Sequence, residues 1–147
     1  MSLFSSFDIN ASGMTAQRYR MDIISQNVAN ANTTRTSDGT PYRRKSVIFA
    51  EKSGGVTFSN VLGNAANKYQ GKGVKVVSTF EDHSTELVKA YDPSHPDADA
   101  DGYVYYPNVN IVTEMTNLID ASRSYEANAT AFTASKSMAL KGLEMSK

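Results

Sequence analysis

The residues best placed to do chemistry are three aspartates in the stretch "DADADG". Asp97, Asp99, Asp101 and Gly102 match positions 1, 3, 5 and 6 of a calcium-binding EF-hand loop. The twelfth position, however, is Asn108, which has no carboxylate to bind calcium through two oxygens, and Pro107 stands where the second helix should be running. The sequence therefore favours a turn with solvated carboxylates, and a calcium-binding module remains an alternative function.

Other catalytic or metal-binding patterns are missing from the sequence. His83 and His95 are twelve residues apart without a zinc-site spacing, and there is no cysteine, phosphate-binding loop or nucleophile elbow. A formal net charge of zero disfavours a nucleic-acid partner. The basic run Arg43–Lys45 fits either a solvated strand edge or an anionic partner. We expect a protein that is not an enzyme, with no catalytic residue, cofactor or metal.

The helix-breaking residues divide the 147-residue chain into three parts. All four prolines and seven of the nine glycines lie between Gly39 and Pro107. We therefore predict a helix over 1–35, a β-rich middle lobe over 36–107 with a flexible insert at about 52–72, and a long helix over 108–147. Asp8 or Asn10 is a candidate first N-cap, and Asn108 or Asn110 the second.

Short β-branched runs mark the strands of the middle lobe. "SVIFAE", "VKVVSTFED" and "GYVYYP" are typical of strands, whereas "ELVKAY" fits a strand or a turn of helix. The predicted fold is mainly α with a small β-rich lobe, in which the two terminal helices pair as a coiled-coil-like hairpin. No segment is apolar enough to span a bilayer and no secretory signal is recognisable, so we expect any export to use another route.

Both terminal segments carry narrow apolar rows with seven-residue spacing, flanked by small neutral polar residues. Such faces allow close approach without burying charge, so we predict that these helices also pack against other subunits. A free coiled-coil dimer acting as an adaptor is the alternative. The residues predicted to form the rows are Phe7, Met14, Met21, Ile24, Val28, Ile111, Met115, Leu118, Tyr125, Phe132 and Leu143.

The stretch "SQNVANANTT" places three asparagines where the first apolar row ends. One asparagine would be enough to stop a helix. We therefore predict that Asn27, Asn30 and Asn32 also form hydrogen bonds across the turn between helix and β lobe, within one subunit or between subunits.

Five stretches resemble one known family. "ISQNVANANTTRT" after "SGMTAQRYRMD" is similar to the N-terminal signature of bacterial flagellar rod and hook axial proteins. "PYRRKSVIF", "YDPSHPDADADGYVYYPNVNIVTEM" and "SRSYEANATAFTASKSMALKGL" resemble the short proximal-rod members of that family. The resemblance covers both ends of the chain and much of its middle.

This resemblance implies a structural subunit that transmits torque. In the family, the terminal helices stack with those of neighbouring subunits into a tubular inner layer around an export channel, and the β lobe lies further out. The implied location is the periplasmic rod of the basal body, reached without a cleaved signal peptide and without insertion into the membrane. The implied partners are further copies of the chain, the rod proteins FlgB and FlgF, the adaptor FliE and the flagellar type III export apparatus.

Overall fold

The computed structural model describes residues 3–52 and 71–145 as two long helices around a small β-rich middle, which confirms the predicted fold class. Most of the predicted insert, residues 53–70, lies outside the described residues. The elements in chain order are α1 (Leu3–Ala29), β1 (Lys45–Glu51), β2 (Val74–Glu81), β3 (Val88–Tyr91), β4 (Tyr103–Tyr106) and α2 (Ile111–Met145).

An asparagine lies at the end of α1 and another at the start of α2. Asn30 is the first residue after α1, and its side-chain Nδ2 donates to the Gln26 carbonyl over 2.9 Å. Asn110 Oδ1 accepts the Thr113 N–H over 3.1 Å, which confirms Asn110 as the N-cap of α2. The N-cap predicted at Asp8 or Asn10 is wrong because α1 already begins at Leu3.

The strands form two small antiparallel hairpins. β1 pairs with β2, and the ladder is extended at its ends by the Lys52 N–H to the Gly73 carbonyl and the Asp82 N–H to the Arg44 carbonyl, each 2.8 Å long. β3 pairs with β4 in the register Val88↔Tyr106 to Tyr91↔Tyr103, so "ELVKAY" ends in a strand.

The chain divides into two compact units, each assembled from stretches that are far apart in sequence. Unit 1 comprises Met1–Tyr19, Phe49–Val77 and Ser122–Lys147, and unit 2 comprises Arg20–Ile48 and Ser78–Ala121. In unit 1 the rings of Phe7 and Phe132 meet edge to face, 5.0 Å apart, and Gly13 lies against Asn128. Since residues later in α1 contact residues earlier in α2, the two helices are antiparallel in this unit.

The row of α2 that is most deeply buried is not an apolar one. Its buried members are Glu114, Ala121 and Ser135, which keep a seven-residue phase. The predicted row residue Met115 lies one position later and is 55% exposed. The predicted apolar rows of α2 are therefore only partly buried within the chain: Met115 is exposed, whereas Leu118 and Phe132 are half-buried beside the buried row. Within the part of the chain described, no helix has the length and apolarity that a membrane crossing requires.

Candidate functional site

The amide of Asn27 is fully buried at the end of α1 and makes four hydrogen bonds. Its Oδ1 accepts the Tyr42 hydroxyl and the Lys45 N–H, both over 2.9 Å. Its Nδ2 donates to the Lys45 carbonyl and to Glu114 Oε2, both over 2.8 Å. Since an amide offers two donor hydrogens and two acceptor lone pairs, its bonding capacity is used in full.

Glu114 brings a buried carboxylate from α2 to this amide. Its side chain is 1% exposed, and its Oε1 accepts Arg44 Nε over 2.8 Å. The guanidinium also donates from Nη1 to Ser46 Oγ over 2.9 Å. A buried carboxylate is tolerated only when it is paired and hydrogen-bonded, and here both oxygens have a partner.

A second buried asparagine, Asn108, binds the backbone at Arg44, one residue before the Lys45 that Asn27 binds. Its Oδ1 accepts the Arg44 N–H over 2.9 Å, and its Nδ2 donates to the carbonyls of Asp82 and Thr85. Two asparagine amides thus bind the backbone at positions 44 and 45, next to the start of β1. We call Asn27, Tyr42, Arg44, Asn108 and Glu114 the polar cluster, and all of it lies in unit 2.

The surroundings of Tyr42 favour its neutral form. Burial is the main cause that raises the pKa of its phenol, and the negative charges of Glu81 and Glu114 add to the effect. A neutral phenol is the form that can donate to Asn27.

Two half-buried aspartates organise the turns beside the strands. Hydrogen bonds from the side chains of Ser84 and Thr85, and from their backbone N–H groups, hold the pKa of Asp82 well below its usual range. The hydroxyl and N–H of Ser94 lower the pKa of Asp92 in the same way. Both carboxylates therefore serve as caps of tight turns.

Two carboxylates of "DADADG" make contacts within the chain, that of Asp97 with distant residues and that of Asp99 within the turn. Asp97 Oδ2 accepts the Thr34 hydroxyl over 2.8 Å, and its Oδ1 lies 3.7 Å from Arg35 Nη1. Asp99 Oδ1 accepts the N–H groups of Asp101 and Tyr103, both over 2.9 Å. Among residues 3–52 and 71–145, no three His, Cys, Asp or Glu side chains are grouped so that they could hold a metal ion.

The predicted interface residues occupy three environments. Two members from α1, Ile24 and Asn27, are buried, and Asn32 beyond the helix is exposed. The half-buried members are Phe7, Met14, Met21, Val28, Asn30, Leu118 and Phe132. The exposed members on α2 are Ile111, Met115, Tyr125 and Leu143, with 43%, 55%, 36% and 66% of their surface accessible.

The three asparagines behave differently from one another. For Asn27 the predicted bonds across the turn are confirmed within one chain. Asn30 bonds locally, donating to Gln26 and accepting the Thr33 hydroxyl over 3.1 Å. A role of the three in contacts between subunits stays a prediction.

The rest of the polar cluster was not found by pattern reading. Tyr42 and Glu114 lie in stretches that resemble the family but match no binding or catalytic motif, and the sequence marks Asn108 only as a helix cap and as the residue that breaks the EF-hand match. Arg44 belongs to the basic run Arg43–Lys45, for which the sequence left two interpretations open, a solvated strand edge or an anionic partner. In the structure the Arg44 guanidinium pairs with Glu114 of the same chain, which neither interpretation predicted.

Comparisons with known proteins identify relatives of the whole chain. Residues 7–35 match the family model described as "Flagella basal body rod protein", and residues 100–145 match "Flagellar basal body rod FlgEFG protein C-terminal". The flagellar basal-body rod protein FlgC of Borreliella burgdorferi is 48% identical, with 94% of this chain and 93% of the relative covered. FlgC of Bacillus subtilis is 45% identical over the full length of both chains. FlgC of Salmonella typhimurium is 41% identical, with 99% and 98% covered.

Proposed function

We propose, from the premise that this chain belongs to the FlgC family of flagellar basal-body rod proteins, that it is a structural subunit of the proximal rod and polymerises through its terminal helices. In this proposal the segments 1–35 and 108–147 form the inner helical layer around the export channel. The middle lobe, 36–107, lies further from the channel.

The observation that carries the proposal is the contrast between two rows of residues along α2. One row is buried within the chain, and the other is apolar and exposed. The buried row contains the small or polar residues Ala121 and Ser135 together with Glu114. Large apolar side chains such as Val112, Met115 and Ile119, which recur at helical spacing, stay 74%, 55% and 53% exposed. Exposed apolar stripes of this kind mark surfaces that pack against other protein.

Torque transmission follows from the stiffness of this arrangement. A helix of 35 residues extends for about 50 Å, and helices packed along such a length resist bending better than loops do. The polar cluster adds hydrogen bonds between α1, β1 and α2, which would resist displacement of the middle lobe under load.

The proposed neighbours are further copies of the chain, the rod proteins FlgB and FlgF, and the adaptor FliE. The proposed location is the periplasmic part of the basal body, which the chain would reach unfolded through the type III export apparatus. These assignments rest on family membership together with the exposed apolar rows, and they make the chain a structural component rather than an enzyme.

The test is the substitution Met115→Asp in a motile strain that carries no other copy of the gene. The side chain is exposed in the single chain, so the isolated variant should fold normally, with a stability change within about 0.5 kcal/mol. In an assembled rod the new carboxylate would be buried without a partner, at a cost of several kcal/mol. We expect loss of motility and of the rod, read from swimming assays and isolated basal bodies.

Ala127→Asp is the matched control, because it places the same carboxylate on an exposed position of α2 outside the predicted rows. It should leave motility intact. Normal motility of Met115→Asp would contradict the proposed packing. A stable dimer of the isolated chain at all concentrations, measured by sedimentation, would favour the coiled-coil adaptor instead.

A further inference from the structure

Charge is divided unequally between the two compact units. The stretches of unit 1 carry nine lysines and arginines against four aspartates and glutamates, whereas those of unit 2 carry six against eleven. The chain has no net charge, but unit 1 has a formal charge of +5 and unit 2 a formal charge of −5. Two copies of the chain therefore attract each other when unlike units meet and repel each other when like units meet.

The negative charge of unit 2 is concentrated around β3 and β4. Residues 81–101 contain seven aspartates and glutamates but a single lysine, Lys89. Glu86, Asp99 and Asp101 are exposed, and within the described part of the chain none of the three forms an ion pair. Their charge is therefore available to a partner.

An exposed face of tyrosines lies in this acidic region. The register of the β3–β4 hairpin pairs Tyr91 with Tyr103 and Lys89 with Tyr105, so these four residues share one face of the hairpin. Tyr91 is 68% and Tyr105 37% exposed, while Val104, on the opposite face, is buried. The rings of Tyr91 and Tyr103 meet edge to face, 5.2 Å apart. We call the four residues the tyrosine face.

The composition of the tyrosine face favours a basic protein partner. Tyrosine is enriched at protein interfaces, where its ring packs and its hydroxyl forms hydrogen bonds. Its ring also attracts cations, and Lys89 Nζ already lies 3.9 Å from the centre of the Tyr103 ring. Exposed tyrosines beside carboxylates without an ion pair therefore suit the lysine and arginine side chains of a partner.

Unit 1 presents three exposed lysines at one end of the β1–β2 ladder, namely Lys52, Lys72 and Lys75. They lie together because the Lys52 N–H donates to the carbonyl that follows Lys72 in the chain. None of the three forms an ion pair among residues 3–52 and 71–145. We call them the lysine cluster, and the neighbouring carboxylates of Asp8 and Glu51 leave its surroundings with a net positive charge.

We propose that the tyrosine face of one copy binds the lysine cluster of a second copy of this chain. The unlike charges of unit 2 and unit 1 favour this pairing, whereas two tyrosine faces or two lysine clusters would bring like charges together. The contact is heterologous because it joins different surfaces, so each copy can bind one neighbour through each surface. It gives a direction to the self-association in the proposed function, and it rests on that function.

Salt and concentration give the first test, made on the purified chain by sedimentation velocity. At about 0.01 M salt, where exposed charges act over about 30 Å, the average sedimentation coefficient should rise with protein concentration beyond the value of a dimer. At about 0.5 M salt the apparent dissociation constant should be at least about tenfold higher, because the charges are screened. A chain that stays monomeric or stops at a dimer at low salt would overturn the proposal.

Neutralising variants show whether the two named surfaces form the contact. Glu86→Gln/Asp101→Asn removes charge beside the tyrosine face, and Lys72→Gln/Lys75→Gln removes charge from the lysine cluster. Each should raise the dissociation constant at low salt by roughly fivefold. All four positions are exposed, so circular dichroism and urea midpoints should match those of the unchanged chain. Unimpaired association of either double variant would contradict the contact.

Two controls separate these surfaces from the net charge of the chain. Glu126→Gln/Glu144→Gln changes the net charge as Glu86→Gln/Asp101→Asn does, but from exposed positions of unit 1, and should not weaken association. The chain with all four neutralising substitutions keeps zero net charge and should associate at least as weakly as either double variant. An equal loss in the unit 1 control would assign association to net charge and overturn the proposal.

Mixing the two double variants tests the direction of the contact. One protein then supplies an unchanged lysine cluster and the other an unchanged tyrosine face, so one complete contact can form between them. Heterodimers should form with roughly the affinity of the unchanged chain, whereas their extension to longer oligomers should be about fivefold weaker. A mixture that associates no better than either variant alone would contradict the pairing of these two surfaces.

The outcomes separate this contact from the proposed function. Absence of salt-dependent association, together with loss of motility in Met115→Asp, would overturn the contact and leave the rod function standing. Salt-dependent association that responds to the neutralising variants, together with normal motility of Met115→Asp, would contradict the proposed packing through α2 but not this contact.

Discussion

Asn27 illustrates how one amide can take the place of a strand. Its Oδ1 and Nδ2 bind the N–H and the carbonyl of the same residue, Lys45, as a neighbouring β-strand would. Its two remaining bonding positions are used by Tyr42 and Glu114. A carboxylate could not donate to Lys45, and an alanine could neither donate nor accept.

Asn27→Ala should therefore lower the free energy of unfolding by at least about 3 kcal/mol, because several buried partners lose their hydrogen bond at once. The measurement is urea unfolding followed by circular dichroism. Asn32→Ala is the control, since this side chain is exposed, and it should change stability by less than about 0.5 kcal/mol. Equal effects of the two substitutions would contradict the role given to Asn27.

Tyr42 should make the protein sensitive to alkaline conditions. Its pKa is raised in the folded state above the ordinary value of 10.0, so its contribution to stability is fully present below pH 10. Above that pH the unfolded chain releases the phenolic proton first, and the contribution is lost as the pH rises through the raised pKa. Urea midpoints measured from about pH 8 to about pH 11 should fall more steeply than those of Tyr42→Phe.

Tyr42→Phe itself should cost about 1 kcal/mol at pH 8, because one acceptor position of Asn27 loses its partner. If stability depends on pH with the same slope in both proteins, the raised pKa of Tyr42 in the folded state is contradicted.

At the scale of the elements, α1 and α2 approach closely because one position has no side chain. A Cβ added at Gly13 would lie 2.7 Å from Asn128 Oδ1 and 2.9 Å from its Cγ. Asn128 is also held in place, since its Nδ2 donates to the Ser124 carbonyl over 2.8 Å. The contact therefore depends on glycine in the middle of a helix, where alanine would otherwise be preferred by about 1 kcal/mol.

Gly13→Ala should destabilise the folded protein by roughly 1–3 kcal/mol despite its better helix propensity, because the new methyl group overpacks the contact. The double variant Gly13→Ala/Asn128→Ala should recover most of this loss, and Asn128→Ala alone is the control. Urea unfolding of the four proteins gives the coupling between the sites. Purely additive effects would contradict a direct contact.

At the scale of the whole molecule, each compact unit draws on residues far apart in the chain. The bond between Asn27 and Glu114 in unit 2 joins residues 87 positions apart, and Arg44 comes from between them. Removing one partner of a buried ion pair leaves an uncompensated charge at a cost of about 3–5 kcal/mol, a large fraction of the stability of a small protein. Unit 2 should therefore form only when both of its stretches, Arg20–Ile48 and Ser78–Ala121, are present.

A chain shortened to end at Asn110 should lose cooperative unfolding, because Asn27 and Arg44 then lack Glu114. A chain shortened to end at Ser137 keeps the buried α2 residues and should still unfold cooperatively. Thermal unfolding followed by circular dichroism distinguishes the two. Cooperative unfolding of the shorter chain would show that residues 3–110 fold independently of α2.

Much of the secondary structure could be predicted from local sequence. The distribution of proline and glycine separates the helical ends from the middle, and short β-branched runs mark the strands. The motif around Asn27 indicates both a helix end and the family. These features depend on residues that are close together in the chain, so local patterns carry them.

The partners within the fold were decided only by the tertiary structure. A seven-residue apolar row shows that a helix has a face to bury, but not whether the face packs within the chain or against another subunit. In α2 the face buried within the chain is the row of Glu114, Ala121 and Ser135, and the apolar Met115 stays exposed. Glu114 is buried because Arg44 and Asn27 pair with it, and such pairing over 70 and 87 positions leaves no periodic trace in the sequence.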